Sequence, residues 1–204
     1  MDQGFDRRQI ADPGQIRVLS SPVRQEIVDT LASLGGRASV AELAQQLGRP
    51  ADGLYYHVRV LVRAGLIEAV PSSEGEERVY RLCGEGDQPL RLAYRPGPQG
   101  NLAALKGFAR SLLQVAGSDF EDALHARSVA LTGARRELWA ARNKGWVSPR
   151  DLEEINALIE RLNTLASQPA APGRERIVSF AFVLAPINPR PKRRSRASDG
   201  RSSP

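Results

Sequence analysis

The sequence predicts an α+β protein. It has an N-terminal domain of three helices and a hairpin, a long connecting helix, a small C-terminal strand–helix–strand module and a disordered basic tail. Apolar residues recur at helical spacing in both halves, runs of strand-forming residues follow the helices, and hydrophobic residues make up 41% of the chain. The predicted boundaries are an arm (1–15), the N-terminal domain (16–85), a linker (86–100), the long helix (101–127), the module (128–187) and the tail (188–204).

Two short helices are predicted at the start of the N-terminal domain. Ser21 can cap the first helix, and Pro22 suits its first position because the φ angle of proline is already helical. The second helix begins at Ser39, and Glu42 completes a capping box with it. In that motif each side chain binds the otherwise unpaired backbone N–H of the other residue. A glycine ends each helix and leads to a short turn.

The third helix, predicted from about Ala51 to Ala64, has two chemically different faces. At 100° per residue, Leu54, Val58 and Leu61 form one narrow stripe, which predicts the buried side. The opposite side is polar, aromatic and cationic, and consists of Asp52, Tyr55, Tyr56, Arg59 and Arg63. Residues 66–70 and 78–82 then predict a β-hairpin, because both are rich in strand formers and a polar loop separates them.

Three motifs of this domain occur together: SPVR at 21–24, SVAELA at 39–44 and LYYHVRVLVRAGLI at 54–67. On these motifs, residues 16–82 resemble the ArsR-type family of bacterial transcriptional regulators, which have a winged helix-turn-helix domain. The resemblance implies a homodimer that binds double-stranded operator DNA and places the third helix of each subunit in a major groove. A major groove admits one α-helix, so the physical dimensions agree with this expectation.

The resemblance also indicates which residues contact DNA. Arg59 is suited to a bidentate contact with guanine, and Ser39, Arg49 and Arg63 are suited to phosphates. The complete set of candidate contacts is Ser39, Arg49, Asp52, Gly53, Tyr55, Tyr56, Arg59, Arg63, Ser72, Ser73 and Arg78. The acidic wing tip at 74–77 is not expected to enter a groove, because carboxylates repel phosphates.

Each of these assignments has a structural alternative. Asp52 can serve only the helix dipole, the two tyrosines can pack against the wing or a dimer partner, and the arginines can form a solvated face. His57 lies at the edge of the buried stripe and is expected to be packed and hydrogen-bonded. For the whole domain, the alternative is a winged helix that binds another protein without specific DNA binding. The 10 basic and 12 acidic residues among 1–85 favour that alternative.

The C-terminal half combines a long helix with the small module. Asn101 begins the helix. Its apolar stripe is expected to pack either on the same helix of a second subunit or on the chain's own C-terminal module. In the module, residues 136–147 are interpreted as two strands around an Asn-Lys-Gly turn. Ser148 caps a helix, and the apolar run 177–184 is interpreted as an interior strand. The aromatic residues of this half are expected to line either a small-molecule effector pocket or a core or interface, and are Tyr94, Trp139, Trp146, Phe180 and Phe182.

Charge and composition exclude several classes of protein. The net charge of +6 comes mostly from the tail, which either solubilises the end of the chain or tethers it to a polyanion. The longest nearly apolar run, 177–186, is far short of the roughly 20 residues of a membrane helix. No signal peptide is visible, and the single Cys83 cannot form an internal disulfide, so a cytoplasmic protein is expected.

Enzyme and metal motifs are missing from the sequence. It contains no nucleophile elbow, phosphate-binding loop, dinucleotide fingerprint or zinc-protease motif, so no enzymatic activity and no cofactor are expected. One cysteine and two distant histidines, His57 and His125, make a metal site unexpected. The metal-sensing branch of the resembled family carries a cysteine pair on its second helix. No cysteine stands there in this chain, so metal sensing is not expected.

Overall fold

The computed structural model describes residues 9–71, 77–84 and 91–187. The N-terminal half contains four helices and five short strands, and two further helices follow, which confirms the predicted α+β class. The elements are β1 (Gln9–Ile10), α1 (Pro13–Leu19), α2 (Pro22–Ser33), β2 (Arg37–Ser39), α3 (Val40–Leu47), α4 (Ala51–Arg63), β3 (Ile67–Ala69), β4 (Val79–Leu82), β5 (Arg91–Leu92), α5 (Leu102–His125) and α6 (Pro149–Ala166).

The predicted hairpin is present and carries a third strand. β4 lies between β2 and β3, and both neighbours are antiparallel to it. The register places Ala38 and Ala69 on either side of Tyr80. β2 was not predicted, because it is only three residues long and runs directly into the cap of α3. A separate parallel pair joins β1 to β5, inside the segments predicted as arm and linker.

The first helix of the structure corrects the predicted N-terminal arm. Asp12 caps α1 by accepting a hydrogen bond from the backbone N–H of Gln15 at 2.7 Å, and Pro13 occupies the first turn. Ile16 and Leu19 of this helix are buried. The side-chain amide of Gln15 donates to the carbonyl of Ala64 at 2.9 Å. This bond satisfies one of the carbonyls left unpaired at the end of α4 and ties α1 to it.

One hydrophobic core serves the N-terminal half. All of its buried members lie between Ile10 and Leu105, and they come from α1 to α5 and from the sheet. The most deeply buried large side chains include Ile16, Ile27, Leu31, Leu43, Leu54, Val58 and Leu61. Because α2, α3 and α4 pack on one another in this core, each helix exposes only its opposite face.

The N-terminal end of α5 is fixed to this core by Asn101, which is buried. Its side-chain amide donates to the carbonyls of Ala11 at 3.0 Å and Ala93 at 2.7 Å, and its oxygen accepts from the backbone N–H of Arg95 at 2.9 Å. α5 then crosses α1 closely at Gly107. A Cβ at that position would come within 3.2 Å of the Ser20 hydroxyl.

The C-terminal region differs from the predicted module. α6 is present and begins with a capping box of Ser148 and Asp151, but none of the three predicted strands forms. Residues 136–148 and 175–187 run without a helix, turn or bend, so the predicted Asn-Lys-Gly turn is wrong as well. A strand needs a neighbour to bond its backbone, and the described part of the chain offers none here.

The predicted effector pocket is not assembled by this half of the chain. All five of its candidate aromatic residues are exposed, and Trp146 is 93% exposed. Phe180 and Phe182 are the pair in ring contact, at 5.9 Å between centroids. Among the described residues, no helix is both long and apolar enough to cross a membrane.

We predict that Leu61→Ala lowers the free energy of unfolding by about 2–5 kcal/mol, because it leaves a cavity in a fully buried part of the core. Leu102→Ala removes the same atoms at an exposed position of α5 and should cost less than about 0.5 kcal/mol. Urea unfolding followed by circular dichroism measures both values. Equal losses in the two variants would contradict the position of the core.

Candidate nucleic-acid interface

α4 is presented to solvent by a tight turn after α3. Gly48 ends α3 in the left-handed conformation, with φ of 60°, and its backbone N–H bonds back to the carbonyl of Ala44. Pro50 then occupies the N-cap position of α4 and makes no side-chain cap. Asp52 lies in the first turn, where a carboxylate complements the partial positive charge of the helix terminus.

The two faces predicted for α4 are present. Leu54, Val58 and Leu61 are at most 1% exposed. The candidate contacts on the opposite face are all exposed, and they are Asp52, Gly53, Tyr55, Tyr56, Arg59 and Arg63. Tyr56 is the more exposed tyrosine, at 64% against 44% for Tyr55. A Cβ at Gly53 would meet nothing within 4 Å, so this end of the helix has open space in front of it.

Arg49 lies beside this face but is already paired. One of its terminal nitrogens contacts the carboxylate of Glu26, on α2, at 3.0 Å. The arginine side chain remains 43% exposed. A phosphate could therefore reach it, and would then compete with Glu26 for the same guanidinium.

Ser39 is excluded from the surface by its own local structure. It is only 4% exposed, and its hydroxyl accepts a hydrogen bond from the backbone N–H of Glu42 at 3.2 Å. The Glu42 carboxylate in turn accepts from the backbone N–H of Ser39 at 2.7 Å. The predicted capping box is therefore confirmed, and the predicted phosphate contact at Ser39 is corrected, because the same hydroxyl serves the cap.

The wing is described only in part. Arg78 is exposed immediately before β4, so a phosphate can reach its side chain. Ser72, Ser73 and residues 74–76 lie outside the described residues. Glu77 has a structural role that the sequence did not indicate. Its carboxylate accepts from the backbone N–H of Ala41 at 3.4 Å, at the N-terminus of α3.

His57 lies at the side of a cleft between α2 and α4. The cleft has a volume of about 190 Å³ and is lined by Val23, Arg49, Pro50, Gly53, Leu54 and His57. The imidazole is half-buried and meets the ring of Tyr56 edge-on, at 5.3 Å between centroids. Its Nδ1 is buried without a hydrogen-bond partner among the described residues. His57 is therefore packed, as predicted, but the expected hydrogen bond at this nitrogen is missing.

The electrostatics of the cleft indicate an arginine that the sequence analysis did not select. Burial lowers the pKa of His57, and the positive charges of Arg24 and Arg49 lower it further. Arg24 stands near the start of α2, and its Nε donates to the carbonyl of Val18 at 2.6 Å. Only the packing of α2 against α4 brings it near His57, so no local pattern of the sequence could reveal it.

Comparison with known families agrees with this architecture. Residues 19–70 match a helix-turn-helix domain. The match runs from the last residue of α1 to just beyond β3, about a quarter of the chain, and includes α2, α3 and α4. A helix-turn-helix domain indicates a DNA-binding regulator, and α4 is its outward-facing third helix. No curated protein matches the chain.

The helix-turn-helix domain and the rest of the described chain hold no group of three or more histidine, cysteine, aspartate or glutamate residues that could hold a metal ion. The single cysteine, Cys83, is half-buried just after β4, and burial raises the pKa of its thiol.

We predict that acid destabilises this domain partly through His57. Because folding lowers its pKa from 6.5, the unfolded chain takes up the proton first. The stability from the neutral ring is present above pH of about 6.5 and is lost as the pH falls towards the lowered value. His57→Asn should therefore weaken the decline in the free energy of unfolding between about pH 7 and pH 5. Urea titrations at several pH values measure it, with His125→Asn, an exposed position, as the control. Parallel declines in wild type and His57→Asn would contradict the assignment.

We predict that Ser39→Ala lowers the free energy of unfolding by roughly 0.5–2 kcal/mol, because α3 loses its cap. Ser33→Ala, in the last turn of α2, is the matched control and should cost less than about 0.5 kcal/mol. Thermal or urea unfolding compares them. If Ser39→Ala leaves the free energy of unfolding unchanged, the cap does not need the Ser39 hydroxyl, and Ser39 becomes a candidate DNA contact again.

Proposed function

We propose that this protein is a cytoplasmic transcriptional regulator of the ArsR type that binds operator DNA as a homodimer through α4. The observation that carries the proposal is the division of α4 into a buried stripe and an exposed face of tyrosines and arginines. None of the side chains of this face belongs to the hydrophobic core, so they are free to meet a ligand. Its chemistry instead suits stacking, base-edge hydrogen bonds and phosphates.

The dimensions of α4 suit a major groove. Thirteen residues give a helix about 20 Å long. The diameter of an α-helix with its side chains, about 10–12 Å, matches the width of a major groove, about 12 Å. The N-terminal half of such a helix reaches the base edges, and here it offers Asp52, Gly53, Tyr55 and Tyr56. Arg59 follows one turn later, where its guanidinium can bond two acceptors of a guanine.

Phosphate contacts complete the interface that we propose. Arg63 lies at the far end of α4, and Arg49 in the turn before it, so the two charges flank the groove-reading residues. Arg78 offers a third contact from the wing. Neutralising phosphates releases counterions, so binding should weaken steeply as salt rises.

Two further parts of the proposal are the homodimer and the absence of metal sensing. Twofold regulators bind half-sites about one helical turn apart, which requires two copies of the chain. Residues 128–187 expose many large apolar side chains, which supports contact with a second copy. The regulator is not proposed to sense metal, because α3 contains no cysteine.

We predict that Arg59→Ala lowers discrimination between a selected DNA site and competitor by roughly 1–3 kcal/mol, because it loses its contacts to a base. Stability should be unchanged, since Arg59 faces away from the core. The test first selects genomic fragments bound by the wild type, then measures affinity for one of them and for a scrambled duplex. Arg17→Ala removes an equal charge from an exposed position on α1 and serves as the control.

Arg63→Ala should act differently, by weakening binding to all sequences and reducing the slope of log affinity against log salt by about 1. If the wild type fails to retain any fragment even at low salt, DNA is not its partner and the exposed face of α4 serves a protein instead. Equal discrimination by wild type and Arg59→Ala would remove Arg59 from the residues that read bases.

A further inference from the structure

The region 128–187, called here the exchange region, exposes an unusual amount of apolar surface. None of its residues belongs to the core, and fifteen of its large apolar side chains are between 40% and 93% exposed. At roughly 100 Å² each, they present on the order of 1,500 Å², whereas monomers rarely expose apolar patches above a few hundred Å². These residues are Leu131, Trp139, Trp146, Val147, Leu152, Leu158, Leu162, Leu165, Ile177, Val178, Phe180, Phe182, Val183, Leu184 and Ile187.

Two segments of the exchange region also leave their backbones unpaired. Over 139–147 and 177–187, no backbone hydrogen bond to another part of the described chain is formed. Both segments run without a helix, turn or bend, so their N–H and C=O groups are available to a neighbouring strand. Phe180 and Phe182 lie on the same side, as the two-residue period of a strand requires.

The run 177–184 is apolar on both sides of such a strand. Ile177, Ala181 and Val183 alternate with Val178, Phe180, Phe182 and Leu184. A strand of this kind is stable only when another layer covers each face and a neighbour bonds each edge. The described residues of its own chain supply neither, although Arg176 anchors its start by an ion pair with Glu137 at 2.7 Å.

The apolar face of α6 also lacks a packing partner among the described residues. Its apolar residues recur at helical spacing over eighteen residues, yet not one residue of the helix is buried. The ion pair of Glu160 with Arg91, at 2.8 Å, links it to the N-terminal half. An amphipathic helix derives most of its stability from packing, so this face needs a partner.

We propose that the exchange region completes its fold on the same region of a second copy of the chain. The two unpaired segments of one copy add to those of the other to form a shared sheet, and the two α6 helices cover it. The proposal deepens the dimer part of the proposed function and does not depend on DNA binding. It places the interface in 128–187 and not on the exposed stripe of α5.

Charge and area favour a second copy over an unrelated protein. Residues 135–147 carry four basic groups and one acidic group, whereas α6 carries two basic and four acidic groups. A twofold exchange therefore brings the basic segments of each copy against the acidic helix of the other. Two copies would together bury on the order of 3,000 Å² of apolar surface, within the range of obligate homodimers.

The test is the mass of the full chain in solution, by size-exclusion chromatography with light scattering at about 1 to about 100 μM. The wild type should have a mass of about 44 kDa, twice the 22.2 kDa of one chain. The double variant Phe180→Asp, Phe182→Asp should fall to about 22 kDa, because carboxylates cannot be buried between the copies. Leu113→Asp places the same charge on the exposed stripe of α5 and should remain at about 44 kDa.

Hydrogen exchange on the wild type provides a measurement that needs no variant. The amides of 139–147 and 177–187 should be protected, because the second copy bonds them. A monomeric wild type, unprotected amides there, or a dimer broken by Leu113→Asp and not by the double variant would overturn the inference. A monomer that retains selected DNA would overturn this inference alone, and a dimer that retains none would overturn the DNA proposal alone.

Discussion

The burial of one narrow stripe on α4 determines the rest of the N-terminal half. Leu54, Val58 and Leu61 are the points at which α4 meets the core, and their spacing leaves the helix one orientation. If α4 were rotated by a quarter turn about its axis, Tyr55 or Arg59 would turn towards the core and Leu54 would become exposed. Once the stripe is in place, the outward direction of the tyrosines and arginines follows without any further contact to hold them.

The elements predicted well are those whose information is local. α2, α3 and α4 have apolar periodicity within their own residues, α3 also has its capping box there, and the face of α4 follows from its wheel alone. β1, β2 and β5 are two or three residues long and exist because of a distant partner, so no local pattern reveals them. α1 is different, because Asp12 and Pro13 are a local signal for a helix start and would have sufficed to predict it.

The errors in the candidate site have the same origin. The cap position of Ser39 was predicted, but its burial also depends on the pairing of β2 with β4, which is a tertiary contact. The environment of His57 depends on Arg24, which lies 33 residues away and arrives through the packing of α2. The apolar character of 177–184 was evident, yet strand formation requires a neighbour that the described part of one chain does not provide. The sequence therefore predicts which side chains are apolar and need burial, whereas only the tertiary structure shows which residues pack against them.

The three hydrogen bonds of Asn101 make the base of α5 a rigid joint. They join the helix to Ala11, 90 positions earlier, and to Ala93 and Arg95 just before it. α5 is 24 residues long, about 36 Å, and it also packs on α1 and α2. A force applied near its C-terminal end would therefore act on the N-terminal half through Asn101 and through these two helices.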